Sequence, residues 1–237
     1  MTMAARDDFK ARLRSIVSPI PPGFRRRAMR DIKTVLESGV SLRTDLLTIL
    51  KNKRARANLL IKVCWILGRL GDRRAVPAII SALAHDDARV RQAAAQSLGE
   101  LGSRRAVPSL VALLRRDKYG DVRGAAASAL GALRDGRAFA PLASTLSNQR
   151  EDPKVRGLAA EALAGLRHRG VAAALIAALS DQSAEVRFWA AFGLGQLRSR
   201  RALPDLELLA ANDDAVLPGW GAVREEATRA IEYIRHG

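Results

Sequence analysis

Apolar positions in this chain recur in a motif of two short stripes. In one copy Val90, Ala94, Leu98 and Leu101 are spaced four, four and three residues apart, the signature of a single buried face of an α-helix. Gly102 follows where a helix C-terminus favours glycine. A second stripe, Val107, Leu110, Val111 and Leu114, opens at Ala106-Val107-Pro108, with proline in the first turn, where its missing N–H leaves nothing unsatisfied. The pattern predicts two α-helices per unit. Val-Arg followed eight residues later by Leu-Gly-x-Leu, or a close variant, begins at Val90, Val122, Val155 and Val186. Divergent forms occur at Leu67-Gly68-Arg69-Leu70 and Ile231-Glu232-Tyr233-Ile234. The leading positions 67, 98, 130, 163, 194 and 231 are separated by steps of 31, 32, 33, 31 and 37. Such a period predicts an all-α solenoid in which each unit covers the apolar face of its neighbour.

Units are expected near 57–87, 88–120, 121–152, 153–183 and 184–222, with a polar closing helix at 223–237. Residues 1–56 lack the motif and are expected to form a basic helical cap or extension. Within it, Phe9, Leu13, Ile16 and Val17 predict a short amphipathic helix. The long last step contains Leu217-Pro218-Gly219-Trp220-Gly221, which predicts a loop. Acids precede each first helix (Asp86-Asp87, Asp121, Asp152, Asp181, Asp213-Asp214), where they can cap free N–H groups. The arginine after each valine is placed to reach an acid in a neighbouring turn.

The motif, read as Asp-x-Val-Arg, a small-residue core, Leu-Gly-x-Leu and Arg-Ala-Val-Pro, resembles the short HEAT-like repeats of the phycobilin (PBS) lyase family across about residues 57–235. The resemblance implies a right-handed superhelix of about five helical pairs, with the Val-Arg helices lining the concave side. Bilin lyases, diiron hydroxylases, adaptors and scaffolds all belong to that family, and the lyases usually act as subunit pairs. Its hydroxylases carry His-Glu directly after Val-Arg as iron ligands. Here those places hold Gln92-Ala93, Gly124-Ala125, Gly157-Leu158 and Phe188-Trp189, while His85, His168 and His236 are scattered. No metal site or cofactor is expected, nor a phosphate loop, nucleophile elbow or Cys–His pair. The chain therefore reads as a non-catalytic scaffold or adaptor, with no small-molecule substrate expected.

Composition refines the choice of partner. The chain of 237 residues has a net charge of +16 and only 4% aromatic residues. Seven of its 40 basic residues are lysine, and arginine suits bidentate contact with phosphate or carboxylate. Three surfaces stand out. The first is a groove lined by Trp65, Arg89, Gln92, Gln96, Ser128, Lys154, Glu161, Phe188, Trp189, Phe192 and Arg229, in which Phe188 and Phe192 replace polar or small residues and mark a protein-partner site. The second is an arginine rim in the turns within units: Arg73, Arg74, Arg104, Arg105, Arg134, Arg137, Arg167, Arg169, Arg198, Arg200 and Arg201. The third is a basic front of Arg25, Arg26, Arg27, Arg30, Lys51, Lys53, Arg54 and Arg56. Rim and front together give the second reading, a nucleic-acid binder gripping phosphates. The front alone fits an acidic protein, RNA or anionic lipid. A phycobilin-lyase-like chromophore lyase or chaperone is the third reading. The lone Cys64, in a small-residue column, excludes an internal disulfide and fits a reducing compartment. Charges at Arg6, Asp7, Asp8 and Lys10 leave no signal-peptide core, and the longest apolar run, Val171 to Leu179, is too short to span a bilayer. A cytoplasmic protein is expected.

Overall fold

The computed structural model describes residues 42–52, 55–71 and 73–236. The predicted N-terminal amphipathic helix, Arg25, Arg26, Arg27, Arg30, Lys53 and Arg54 lie outside the described residues. The described chain is an all-α solenoid. After α1 (Leu42–Lys51) come five pairs: α2 (Ala57–Arg69) and α3 (Val76–Ala82), α4 (Ala88–Leu101) and α5 (Val107–Arg116), α6 (Gly120–Leu133) and α7 (Phe139–Ser147), α8 (Pro153–Ala164) and α9 (Val171–Ala178), α10 (Ala184–Gln196) and α11 (Leu203–Asn212). The closing helix α12 spans Val223–His236. First helices pack side by side in the order α2, α4, α6, α8, α10, α12, and each second helix leans on the first helix of the following unit. Packing begins ahead of the first motif copy, because α1 lies against α2 and α3 with Leu46 and Leu50 buried.

The rows of matching residues are the core. Val90, Ala94 and Leu98, and their counterparts Val122, Ala126 and Leu130, Val155, Ala159 and Leu163, and Val186, Ala190 and Leu194, are all buried. Full burial of each valine or leucine contributes about 1.5–3 kcal/mol. Second helices add Leu110, Leu142, Leu175 and Leu206, none of them reached by solvent. In four units a 3₁₀ turn precedes the second helix and tucks an alanine (Ala75, Ala106, Ala138, Ala202) beneath it. The fourth unit lacks the proline, and there α9 starts directly after Gly170 with no such turn.

Small residues set the spacing between first helices. Glycine of the Leu-Gly pair faces a small residue two places earlier on the next helix. A Cβ on Gly99 would stand 3.1 Å from the Ala129 Cα, and one on Gly131 would stand 2.7 Å from the Ala162 Cα. One step departs from the rule. Helix α8 carries Ala164 in place of the glycine, and the facing position on α10 is Gly193, whose Cβ would lie 3.0 Å from that of Ala164. The two small groups have exchanged sides, so the column stays equally thin.

The Val-Arg arginines form a line of clasps between units. Arg91 bonds Asp117 (2.6 Å), Arg123 bonds Glu151 (2.5 Å), Arg156 bonds Asp181 (2.7 Å) and Arg187 bonds Asp213 (2.6 Å), while Arg224 pairs with Asp214. In the four inner clasps the Nη1 nitrogen, free of the carboxylate, donates to a carbonyl of the loop preceding its own helix, as Arg156 Nη1 does to the Glu151 oxygen at 2.7 Å. Asp87 and Asp152 cap α4 and α8 as expected. Asp121 does not cap. It lies inside the first turn of α6, and Asp117 takes the local N–H instead, accepting from Tyr119 at 3.0 Å.

The inserted segment is not an open loop. Val216–Leu217 and Gly221–Ala222 pair as a small antiparallel hairpin. Trp220 donates its N–H to the Leu217 oxygen at 3.0 Å, with Pro218 and Gly219 (φ 83°) at the corners. That is the residue pattern of a type II turn, and it leaves Trp220 beside the tip.

Candidate functional site

The first helices present a continuous face built from positions two, three and six after each valine. Along it Gln96, Ser128, Glu161 and Arg229 are exposed, Gln92 and Trp65 are half-buried, and Arg89 and Lys154 stand exposed at helix N-termini. In the middle of the row the second position is glycine, and the third-position side chain of the next helix fills the notch. A Cβ on Gly124 would meet Leu158 Cδ1 at 2.8 Å, and one on Gly157 would meet Trp189 Cδ1 at 3.0 Å. Trp189 is therefore seated on α8 as well as carried by α10.

The expected exposed pair of phenylalanines is only partly realised. Phe188 is 3% and Trp189 9% exposed, and Phe192 is half-buried. Phe188 meets Trp189 edge-on with ring centroids 5.5 Å apart, Phe192 meets Trp189 at 5.6 Å, and Trp220 closes over the group at 4.9 Å from Trp189 and 6.5 Å from Phe188. Offset and edge contacts of this kind add about 0.5–1.5 kcal/mol each beyond area burial. Phe188 and Trp189 thus act as a buried base. The ring offered to solvent is Trp220, 61% exposed. Sequence reasoning passed over Trp220 because it belongs to no repeat row. The available signal was a tryptophan beside Pro-Gly in a segment that lengthens one unit.

The bases Arg89, Lys154 and Arg229 on this face are each paired with an acid. Arg89 binds Asp87 (2.7 Å), Lys154 binds Asp121 (3.3 Å) and Arg229 binds Glu226 (3.0 Å). The Arg89 hydrogen bond lowers the Asp87 carboxyl to about 2. Glu226 is 5% exposed, and burial raises its carboxyl above the ordinary range despite Arg229. Cys64 is fully buried on α2, which pushes its thiol up to about 12, so it is a core filler rather than a nucleophile at neutral pH.

On one edge, turns within units carry Arg73, Arg74, Arg104, Arg105, Arg134, Arg137, Arg167, Arg169, Arg198, Arg200 and Arg201, all exposed. Neighbouring turns are within reach of each other, since Arg137 Nη2 donates to the Arg104 oxygen at 3.1 Å. Among the described residues Arg104, Arg105, Arg134, Arg167, Arg169, Arg200 and Arg201 form no salt bridge, in contrast with the clasped arginines on the other edge. Arg134 and Arg198 hold left-handed backbone (φ 47° and 50°) where earlier units have Gly71 and Gly102. Of the basic front, Lys51 and Arg56 are described, and both are exposed.

Among the described residues no group of three or more His, Cys, Asp or Glu is placed to hold a metal ion, and no helix is long and apolar enough to cross a membrane. The curated proteins give no match. Solved structures do. Similar folds include the CpcE–CpcF complex of phycocyanin lyase from Nostoc sp. PCC7120 (23% identity, TM-score 0.54, covering 67% of this chain and 99% of that one). Another is an engineered protein (23%, TM-score 0.55, covering 81% and 99%). A third is a designed armadillo repeat protein in complex with the peptide (KR)4 (20%, TM-score 0.51, covering 81% and 98%). At these identities the likeness is one of fold. The model for HEAT repeats matches residues 44–131 and 139–232, most of the chain, and that for the PBS lyase HEAT-like repeat matches 122–148. The chain belongs to the HEAT-repeat family.

Proposed function

We propose that this protein is a non-catalytic scaffold that holds a segment of a protein partner in a groove along the first helices, anchored at its C-terminal half by Trp220 and Phe192. The observation that carries this reading is the large indole ring of Trp220, left 61% exposed yet fixed in position by the rings beneath it. Binding hot spots favour tryptophan because a preordered ring loses little conformational freedom on docking. Trp65, Gln92, Gln96, Ser128 and Glu161 extend the surface toward the N-terminal units. The designed armadillo neighbour, similar in fold and solved in complex with a peptide, supports this reading. Affinity capture from the native host with nuclease treatment, using wild type beside Trp220→Ala and Phe192→Ser, tests the reading. Loss of the captured partner is expected from a protein that stays folded, its melting temperature lowered by only a few degrees as the ring contacts are lost. An unchanged set of captured proteins overturns it. Phe188→Ser is the wrong probe, because at 3% exposure it removes core.

The exposed arginine rim favours a second reading, in which a phosphate backbone lies along that edge. Two rim arginines, Arg134 and Arg198, occupy left-handed backbone that glycine would adopt without strain, and strained backbone of this kind clusters at functional sites. Steep weakening of duplex DNA or heparin binding with rising salt is expected on this reading, and no binding at low salt contradicts it. The likeness to the phycocyanin lyase complex is the support for the third reading, a chromophore lyase or chaperone; co-purification of a coloured tetrapyrrole would favour it.

A further inference from the structure

The chain is strongly basic, yet the face around Trp220 is not. Its bases are neutralised in place: Arg89 by Asp87, Lys154 by Asp121, Arg229 by Glu226. Its carboxylates are in excess. Among the described residues neither Glu161 nor Glu185 has an ion pair, and Glu225 accepts only a long bond from the Ala222 N–H at 3.4 Å. Glu161 and Glu185 flank the aromatic group. Glu185 Cγ lies 3.3 Å and Trp189 Cδ1 3.0 Å from the place where a Gly157 Cβ would stand, so both side chains converge on one notch of α8. Glu161 is one helical turn beyond that notch on the same face. Partial desolvation raises the Glu161 carboxyl above its ordinary value, and a carboxylate that has lost water gains more from a nearby cation than a fully hydrated one does. A cation held over an indole face adds the attraction of the ring quadrupole.

We propose that Trp220, seated on Trp189, together with the Glu161 and Glu185 carboxylates, forms a subsite for a lysine or arginine side chain of a basic peptide partner. The subsite rests on the groove reading given above and narrows it, since the partner segment must carry positive charge where it crosses α8 and α10. Charge complementarity selects this occupant. An acidic or phosphorylated segment would meet two unpaired carboxylates here, and a purely apolar one would strip water from them without return.

The test is fluorescence anisotropy with capped, dye-labelled nonapeptides alternating glycine with arginine, with glutamine, or with glutamate, titrated by the whole protein. The arginine peptide is expected to bind at least about ten-fold more tightly than the glutamine one, a gap within reach of a desolvated cation–π contact joined to a carboxylate. Trp220→Ala, with melting lowered by only a few degrees, and Glu161→Gln combined with Glu185→Gln, at unchanged melting temperature, should each remove most of that preference. Arginine and glutamine peptides bound equally, both weakened by Trp220→Ala, would overturn the cation subsite and leave the groove standing. Arginine-peptide binding indifferent to both variants would place the cation elsewhere and overturn it too. No binding of any peptide up to about 1 mM would also overturn it, and the capture experiment then decides the groove by itself.

Discussion

Single residues set how closely units stack, and the clearest case is the glycine facing Ala162. No side chain fits at Gly131 while its missing Cβ lies 2.7 Å from the next helix, so Gly131→Ala should cost about 1–3 kcal/mol by overpacking. The neighbouring step already solves the same problem in reverse, with Ala164 against Gly193. The double change Gly131→Ala with Ala162→Gly should therefore recover part of the loss in urea unfolding, and a double variant no better than the single one would show that the exchange is not compensatory. At Arg134 and Arg198 the backbone is left-handed, which costs an L-residue about 1–2 kcal/mol. Arg134→Gly or Arg198→Gly should raise stability by about 0.5–1 kcal/mol after the greater freedom of glycine in the unfolded chain is counted. If the second reading holds, the same variants should weaken polyanion binding while melting higher. The exchange of Ala164 and Gly193 was open to view in the sequence, because the departures from the motif fall on facing positions. The strain at the two arginines was not, because a cap residue's φ depends on how its helix ends.

Elements are joined by burial first and by the arginine clasps second. The innermost clasp is the one to break. Arg156 is 3% and Asp181 7% exposed, so Arg156→Ala leaves a buried carboxylate without its partner and should cost about 3–5 kcal/mol. Lys154→Ala removes a pair whose side chains are 64% and 71% exposed, and its effect should stay below about 1 kcal/mol. Thermal melts of the two variants side by side separate these cases, and equal effects would contradict the assignment of the buried clasp. The clasp acids also fix the response to pH. Burial pushes Asp117, Asp181 and Asp213 upward, but hydrogen bonds from Arg91, Arg156 and Arg187 and from local N–H groups outweigh it, leaving all three below their ordinary value. A lowered carboxyl binds fewer protons folded than unfolded, so its contribution is whole above the unfolded pKa of about 3.9 and is lost as pH falls through the folded one. Glu226 has the opposite sign, raised by burial, and gives up some stability as pH climbs past its ordinary range. The urea midpoint should hold or rise slightly from pH 7 to about 5, then drop steeply below about 4. A midpoint that improved continuously down to pH 3 would contradict the clasps. That arginine after valine would reach an acid was legible from the repeat, but which acid was not: Asp117 and Glu151 serve where Asp121 and Asp152 were the obvious candidates, since the choice depends on how each loop turns after its second helix.

For the whole molecule, the period sufficed to lay out the array, because every unit repeats the same burial problem and finds the same answer. The proposed binding face was half legible. Rows of matching positions located Phe188, Trp189 and Phe192 correctly on the first helices, but the degree of exposure came from outside the rows. A hairpin between α11 and α12 covers two of the rings and contributes a third, and no periodic reading places an insertion against a particular face. The result is a molecule whose charge is segregated: clasped pairs on one edge, exposed arginines on the other, and, between them, an aromatic group flanked by carboxylates. The account stands on the first-helix face as the place where a partner docks. Its most direct measurement is site-specific photocrosslinking in the native host, with a benzoylphenylalanine placed in turn at Gln96, Ser128 and Glu161 on that face, at Arg201 on the rim and at Leu208 on α11. The account predicts one common crosslinked protein from Gln96, Ser128 and Glu161 that is absent from Leu208 and vanishes in Trp220→Ala. Crosslinks confined to Arg201 or Leu208, with the first-helix positions silent, would contradict it.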